Sequence, residues 1–170
     1  MNYKTLIREV PDFPKPGILF YDITTLLKDR EAFTSIIRDL TALYTTQNVA
    51  KIVGIESRGF ILGAPLAHQL GAGFVPVRKP GKLPAETIEA TYTLEYGSNT
   101  LSVHQDAITP GERVLIVDDL LATGGTAAAT VDLVRRLGGD VVGVTFLVEL
   151  LFLKGRAQLD GCDIQALIQY

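Results

Sequence analysis

One segment of the chain, residues 113–126, has the residue types and the order that suit binding of a phosphorylated sugar. It reads Arg-Val-Leu-Ile-Val-Asp-Asp-Leu-Leu-Ala-Thr-Gly-Gly-Thr. The four apolar residues predict a buried strand, and Asp118 and Asp119 follow at its carboxyl end, where open α/β sheets bind their ligands. A short loop of small residues leads into a predicted helix, whose unpaired opening amides carry positive partial charge and suit a phosphate.

The loop and the acid pair are expected to bind different parts of such a ligand. Gly124 and Gly125 let the backbone approach a phosphate closely, while Thr123 and Thr126 add hydroxyl groups. The two carboxylates repel a phosphate, so they suit sugar hydroxyls or a hard cation such as Mg²⁺. The alternative is a strand that ends in two solvated acids and a glycine turn.

Residues 56–59, Glu-Ser-Arg-Gly, lie between a predicted strand and a predicted helix. Backbone amides there, together with the guanidinium of Arg58, suit a pyrophosphate group, because a guanidinium matches the geometry of phosphate oxygens. The alternative is that Ser57 only caps the helix and that Arg58 is a surface cation.

The segment 79–104 departs from the pattern of the rest of the chain. Apolar and polar residues alternate on both sides of residues 97–99, which predicts a half-exposed hairpin. A basic cluster stands where it begins, formed by Arg78, Lys79 and Lys82. The alternative interpretation of that cluster is a solvated turn. Glu95 lies within the hairpin and is either an exposed strand residue or an acid/base group that a mobile loop brings to a substrate.

Alternating strands and helices are needed to position these segments. The predicted strands are residues 18–23, 51–56, 73–78, 113–117, 141–147 and 163–168, and the predicted helices are residues 2–10, 31–46, 60–70 and 126–137. The helix over 31–46 has its apolar residues on one face and Asp29 as its cap. The alternation of strands and helices predicts a parallel sheet covered on both faces, in which the carboxyl ends of the strands share one edge.

Length and composition fit one domain over residues 1–170. The net charge of −3 argues against nucleic acid as a partner, which needs a basic face. The single cysteine, Cys162, excludes an internal disulfide and is expected to be a small core residue. The charged N-terminal segment does not resemble a secretory signal, and the apolar stretch 141–153 is shorter than the roughly 20 residues that span a bilayer. We therefore expect a cytoplasmic protein without a membrane anchor.

Taken together, the motifs resemble those of the type I phosphoribosyltransferases, and among them the enzymes that use adenine. The similar segments follow the family's order and spacing over residues 11–170, and they are residues 13–17, 56–60, 77–84, 94–97 and 118–126. The resemblance implies an α/β fold in which helices flank a central, mostly parallel sheet, with a small hood and a hairpin lid over about 79–104. It implies adenine salvage, in which adenine and phosphoribosyl pyrophosphate (PRPP) give AMP and pyrophosphate with Mg²⁺, in a cytoplasmic homodimer.

The same resemblance implies roles for individual residues. It assigns the ribose and phosphates of PRPP to Asp118, Asp119, Ala122, Thr123, Gly124, Gly125 and Thr126. It assigns the pyrophosphate group to Glu56, Ser57, Arg58, Arg78, Lys79 and Lys82. A cis peptide bond is expected between Glu56 and Ser57. Catalysis falls to Glu95, as general acid or base, and to Arg58, which stabilises the departing charge. Mg²⁺ is expected to be held mainly by PRPP, and no protein ligand is assigned to it.

The adenine site implied by the resemblance consists of Leu19, Phe20, Tyr21 and Leu120. Phe20 is expected to stack on the ring, backbone near Leu19 to read the ring edge, and Leu120 to close the other face. The chain departs from the family's pattern at Tyr21, where arginine is common, so no role is assigned to that side chain.

The sequence leaves two alternatives open. One is a PRPP-binding regulatory protein that lacks catalysis, against which Glu95 and the absence of an appended DNA-binding segment argue. The other is an enzyme for guanine, hypoxanthine or xanthine, which turnover of each base distinguishes.

Overall fold

A computed structural model describes residues 1–93 and 97–170, which form two compact units. The first unit is Met1–Asp39 and the second is Leu40–Tyr170. The boundary falls within the helix that spans Arg30–Tyr44. Within the described residues, none of the helices combines the length and the apolar character that crossing a membrane requires.

The first unit contains a small antiparallel ribbon. A 3₁₀ turn (Tyr3–Leu6) precedes strands β1 (Arg8–Pro11) and β2 (Leu19–Asp22), which helices α1 (Thr24–Leu27) and α2 (Arg30–Tyr44) follow. The helix predicted over residues 2–10 is therefore wrong beyond its first turn, because residues 8–11 form hydrogen bonds with β2 instead of with their own neighbours. Arg8 Nε donates to Asp22 Oδ2 at 3.0 Å and joins the two strands at one end of the ribbon.

Two other predictions for this part of the chain are confirmed. The extended segment 18–23 contains β2, and α2 covers most of residues 31–46. Asp29 Oδ1 accepts a hydrogen bond of 2.9 Å from the Ala32 amide, so Asp29 caps α2 as expected.

The second unit contains an alternating series of strands and helices. In chain order these are β3 (Lys51–Ile55), α3 (Arg58–Leu70), β4 (Gly73–Val77), β5 (Thr87–Thr93), β6 (Ser98–His104), β7 (Arg113–Leu121), α4 (Gly125–Arg136), β8 (Asp140–Glu149) and β9 (Ile164–Gln169). Two 3₁₀ turns, Leu151–Leu153 and Gly155–Gln158, lie between β8 and β9. Five strands pair in parallel in the order β4-β3-β7-β8-β9, so the predicted parallel sheet is confirmed.

The sheet is buried because its strands carry Val, Ile, Leu and Phe on both faces. Its most enclosed side chains, each at most 1% exposed, are those of Ile52, Val53, Leu115, Ile116 and Phe146. Helix α3 packs on β3 and β7, and α4 packs on β7 and β8. The carboxyl ends of the strands are therefore held by a rigid scaffold, on which loops can be positioned accurately.

Strands β5 and β6 form a separate antiparallel hairpin, as predicted for this segment. Residues 87–93 pair with residues 98–104, from Thr93 opposite Ser98 to Thr87 opposite His104. Ser98 and Asn99, which were expected in the turn, belong to β6 because they pair with Thr93 and Tyr92.

Side-chain and backbone contacts anchor the hairpin at two places. Arg78 and Ser102 exchange backbone hydrogen bonds of 3.0 and 2.7 Å, which tie the residue after β4 to β6. Arg136 Nη1 donates to the Glu89 carbonyl oxygen at 2.7 Å, which ties α4 to β5. The described part of the hairpin is thus fastened to the sheet and to a helix.

Candidate active site

Most of the predicted site residues of the second unit lie at one edge of the sheet. Strands β4, β3 and β7 are neighbours, and their carboxyl ends lead into Arg78, into residues 56–58 and into residues 118–126. Because parallel strands end at the same edge, the fold brings together groups that are more than sixty positions apart in the sequence.

The acid pair lies within β7, not after it. The strand was predicted to end at Val117, yet it continues through Leu121 by pairing with β8. Asp118 is 9% exposed to solvent and Asp119 is 7% exposed, so the alternative of two solvated acids is wrong. Burial first, and then the neighbouring charge of Asp119, raises the pKa of Asp118 well above its ordinary value.

Arg58, the first residue of α3, stabilises the acid pair. Its Nε lies 2.8 Å from Asp119 Oδ2, so Arg58 is an ion-pair partner rather than an isolated surface cation. The first turn of α3 approaches β7 closely at Gly59, where a Cβ atom would lie 2.8 Å from the Val117 carbonyl oxygen and 3.0 Å from Asp118 Oδ1. Only glycine permits this approach, which places Arg58 beside the acids.

The peptide bond between Glu56 and Ser57 is cis, which confirms that expectation. Within the described chain, the Ser57 side chain makes no capping hydrogen bond to α3, so the simple capping interpretation is not supported. Ser57 is exposed at the edge of the sheet, directly before Arg58.

Glu56 organises the basic cluster. Its carboxylate accepts hydrogen bonds from Arg78 Nη2 at 2.8 Å and from the Lys79 amide at 3.1 Å. Arg78 Nη1 also donates to the Lys82 carbonyl oxygen at 3.2 Å. The hydrogen bond from Arg78 lowers the pKa of Glu56, which keeps the carboxylate charged. Residues 78–82, which we call the basic loop, are therefore held by specific hydrogen bonds and are not merely a solvated turn. The side chains of Lys79 and Lys82 are nevertheless exposed.

Residues 122–126, which we call the phosphate loop, join β7 to α4. Gly124 has a left-handed conformation with φ +90°, and α4 begins at Gly125. Thr123 is exposed, whereas Thr126 Oγ1 lies 2.8 Å from Tyr92 Oη on β5. The Tyr92 ring also lies against Gly125, where a Cβ atom would be 2.9 Å from Cδ2. In the sequence, Tyr92 is one of the apolar residues that alternate with polar residues in the hairpin, a pattern that gives no sign of this contact.

A turn that the sequence did not single out supports the phosphate loop from behind. A Cβ atom on Gly124 would collide with the Gly155 carbonyl oxygen, and one on Gly155 would collide with the Ala122 carbonyl oxygen. Both positions therefore need glycine, because two backbone segments pass each other directly. The only sequence signal was the Lys-Gly-Arg tripeptide at residues 154–156, after an apolar strand.

An ion pair between the buried Glu149 and the exposed Arg156 holds this supporting turn, residues 155–158. Glu149 is 2% exposed and accepts from Arg156 Nε at 2.6 Å and Nη2 at 2.8 Å. Gln169 Nε2 adds a hydrogen bond of 2.9 Å to the same carboxylate. The hydrogen bonds from Arg156, and then the one from Gln169, lower the pKa of Glu149 against the effect of burial.

Several predicted site residues stay predictions. Leu120 is half-buried in β7. In the first unit, Leu19 is 42% exposed on β2, and the Phe20 ring packs edge-on against Phe13 with centroids 5.1 Å apart. Burial, and then the charge of Glu9, raises the pKa of Tyr21. Glu95 lies outside the described residues.

Residues 1–93 and 97–170 contain no group of three or more His, Cys, Asp or Glu side chains arranged to hold a metal ion. Cys162 is a free thiol that is half-buried against the core, so its expected packing role is confirmed only in part.

Comparison with known proteins assigns the family. The profile of the phosphoribosyl transferase domain matches residues 23–159. An adenine phosphoribosyltransferase from Acidobacterium capsulatum is 61% identical over 98% of this chain and 92% of its own length. The chain belongs to the adenine phosphoribosyltransferase family.

Solved structures of this family have the same fold. Adenine phosphoribosyltransferase from Thermoanaerobacter pseudethanolicus is 56% identical, with a TM-score of 0.96 over 99% of this chain and 98% of that one. The enzyme from Saccharomyces cerevisiae, solved in complex with adenine and the iminosugar D-2,5-dideoxy-2,5-imino-altritol 1,6-bisphosphate, is 43% identical. Its TM-score is 0.90, over 95% of this chain and 94% of that one. The fold described above, with its central parallel sheet, is thus that of the adenine phosphoribosyltransferases.

Replacing Gly155 by alanine is expected to distort the phosphate loop, because the new methyl group would meet the Ala122 carbonyl oxygen. We expect ribose 5-phosphate to bind at least about tenfold more weakly, a loss of about 1.4 kcal/mol, as measured by calorimetric titration. Gly73→Ala is the matched control, because there the methyl group meets only the flexible side chain of Lys51. Equal affinities of the two variants would contradict the supporting role of residues 155–158.

Replacing Asp118 by asparagine is expected to stabilise the protein while it weakens binding of the sugar phosphate. Because folding raises the pKa of Asp118 above 3.8, the folded chain binds that proton more tightly than the unfolded chain. Stability therefore falls as the pH rises from about 3.8 through the raised pKa, and the variant avoids this loss. At pH 8 we expect the variant to melt above the wild type, by about 2–4 °C for each kcal/mol of unfolding free energy that it gains. This difference in melting temperature is expected to vanish in acid, where Asp118 is protonated in the wild type as well.

Thermal melts across this pH range test the effect. Asp106→Asn, which removes an exposed carboxylate, is the control and should melt like the wild type. A melting temperature of Asp118→Asn at or below that of the wild type at pH 8 would show that Asp118 is not a destabilising buried charge.

Proposed function

We propose that this chain transfers the 5-phosphoribosyl group from PRPP to adenine and releases AMP and pyrophosphate. The observation that carries this proposal is the buried acid pair, which lies next to Arg58 and directly before the phosphate loop at one edge of the sheet. Membership of the family supports the choice of reaction, and the adenine found in the yeast relative supports the choice of base.

The acid pair is proposed to bind the ribose. As C1 of the ribose loses pyrophosphate and gains a ring nitrogen of adenine, positive charge develops on the ribose ring. Ionised Asp118 and Asp119 accept hydrogen bonds from the ribose hydroxyls, and their negative field stabilises that charge. Since Arg58 occupies one oxygen of Asp119, the ribose has Asp118 and the remaining oxygen of Asp119 as acceptors.

The cationic residues are proposed to bind the leaving group, pyrophosphate. Arg58 and Arg78 present planar guanidinium groups to a pyrophosphate, and the exposed Lys79 and Lys82 add positive charge. Glu56 is already bonded to Arg78 and to the Lys79 amide, so we assign its carboxylate to positioning these groups. Glu56 itself then has only its backbone left to contact the pyrophosphate directly.

Mg²⁺ suits this chemistry, because carboxylates and phosphate oxygens are its preferred ligands. The two carboxylates of the site are partly engaged, Asp119 with Arg58 and Asp118 with the Asp119 amide. We therefore propose that PRPP oxygens hold the ion, with Asp118 and Asp119 close to it. When bound, Mg²⁺ neutralises charge on the departing pyrophosphate.

The phosphate loop is proposed to bind the 5′-phosphate through its amides and hydroxyls. Adenine is assigned, by resemblance, to Leu19, Phe20, Tyr21 and Leu120. The hairpin within 79–104 is proposed to limit access of water, since hydrolysis of PRPP competes with transfer. Its anchors at Arg78 and Arg136 imply that this whole segment cannot swing as one rigid lid without breaking them.

We also propose that residues 1–170 act as one catalytic domain, and that the protein works in the cytoplasm as a homodimer. The family resemblance supports this assembly, and the basic loop at Arg78–Lys82 is the proposed point at which the partner subunit approaches the site.

Adenine is expected to be the preferred base. Initial rates with adenine, guanine, hypoxanthine and xanthine at equal PRPP and Mg²⁺ check this, with AMP and pyrophosphate identified as products. Faster turnover of any other base would make the assignment wrong, and PRPP binding without any product would indicate a regulatory protein.

Glu95→Gln is expected to slow the chemical step by about 10²–10⁴-fold, because a positioned acid/base group contributes that much and glutamine cannot exchange a proton. PRPP affinity is expected to change little, since the ribose and phosphates are assigned to other residues. Single-turnover formation of AMP at saturating substrates gives the rate, and a thermal melt checks the fold.

Glu86→Gln is the matched control, because Glu86 is an exposed glutamate that precedes β5. A fall of less than about tenfold for Glu95→Gln, with the control unchanged, would remove Glu95 from proton transfer.

A further inference from the structure

The contact between Tyr92 and Thr126 links the hairpin to the phosphate loop. The two hydroxyl oxygens are 2.8 Å apart, which is a normal O–H···O hydrogen bond in which either group can donate. Two contacts hold Tyr92 and its strand against α4, because the Tyr92 ring lies on Gly125 and Arg136 donates to the Glu89 carbonyl oxygen in β5. Tyr92, Thr123 and Gly125 also border a cavity of about 520 Å³ beside the loop.

Binding of a phosphate decides which of the two hydroxyl groups donates. A phosphate oxygen can only accept, so Thr126 must use its single proton to bind it. The Thr126 oxygen then retains only lone pairs, and the hydrogen bond to Tyr92 survives only if Tyr92 is the donor. The result is a chain of donors from Tyr92 through Thr126 to the phosphate, in which each bond polarises and strengthens the next.

Without such a partner, a threonine hydroxyl in a helix has a competing acceptor. It can donate to the carbonyl oxygen four residues earlier, as Thr130 does in α4, where its Oγ1 donates to the Thr126 carbonyl oxygen at 2.9 Å. For Thr126, the carbonyl four residues earlier belongs to Ala122, which lies before α4 begins and faces Gly155. The competing acceptor that the structure shows for the Thr126 proton is instead the Tyr92 hydroxyl oxygen, since either group can donate in this bond. A bond from Tyr92 to the Thr126 oxygen favours the orientation in which the Thr126 proton remains available to a ligand.

We propose that Tyr92 is a positioning residue for the 5′-phosphate, which acts by donating its hydroxyl proton to Thr126 and so directing the Thr126 proton at the phosphate. This inference rests on the proposed function, in which the phosphate loop binds the 5′-phosphate. It predicts an effect on ligands that carry this phosphate, and none on pyrophosphate alone.

Tyr92→Phe tests the hydroxyl group while it keeps the ring on Gly125. We expect ribose 5-phosphate to bind about three- to tenfold more weakly, the usual effect of one lost hydrogen bond, while pyrophosphate affinity and the melting temperature stay unchanged. Tyr44→Phe is the matched control, because it removes the hydroxyl group of a buried tyrosine beside Gly143. Calorimetric titration measures all affinities.

Thr126→Val completes a double-mutant cycle. If Tyr92 acts through Thr126, Tyr92→Phe loses its effect once the Thr126 hydroxyl is absent. The inference is overturned if Tyr92→Phe binds ribose 5-phosphate like the wild type, or if it weakens binding equally in the Thr126→Val background. Failure of the wild-type chain to bind ribose 5-phosphate would instead overturn the proposed function, and the inference with it.

Discussion

Two adjacent carboxylates buried in the middle strand of the sheet impose the constraint on which the rest of the site depends. Asp118 and Asp119 are both largely enclosed, and burial and the neighbouring charge of Asp119 raise the pKa of Asp118 well above its ordinary value. The chain offsets this with a guanidinium at 2.8 Å and a backbone amide at 2.9 Å. Arg58 reaches the pair only because Gly59 lets α3 lie directly on β7. Gly59 in α3 thus makes possible the ion pair between Arg58 and Asp119 in β7.

This constraint also explains the layout of charge around the pair. Two pairs of opposite charges lie at the edge of the sheet, Arg58 with Asp119 and Arg78 with Glu56. A ligand with both sugar hydroxyls and a pyrophosphate group can replace these internal partners with its own atoms. Groups held in place before the ligand arrives need little rearrangement during reaction, which is the basis of electrostatic stabilisation in active sites.

The sequence predicted those parts of the structure that depend on local pattern. The five parallel strands, the three long helices and the hairpin follow from hydrophobic periodicity, and Asp29 was correctly placed as a cap. The errors occur where tertiary pairing overrides local preference. Residues 8–11 pair with β2 instead of remaining helical, and β7 continues past Val117 because β8 offers a partner for Asp118 and beyond. The hydrogen bonds that decide both cases join residues distant in the sequence.

Within the site, the sequence motifs located the residues that we propose contact a ligand, but not the residues that hold them in place. The phosphate loop consists of small residues and has few side chains with which to fix its own shape. Its shape is imposed from outside, by Gly155 behind it and by Tyr92 beside it, and the supporting turn is fixed in turn by the bonds between Glu149 and Arg156. A loop that must let its backbone approach a phosphate cannot carry large side chains, so its rigidity has to come from other segments. Because the rigidity of the loop comes from these other segments, Gly155 and Tyr92 are expected to affect phosphate binding although neither belongs to the recognisable motif.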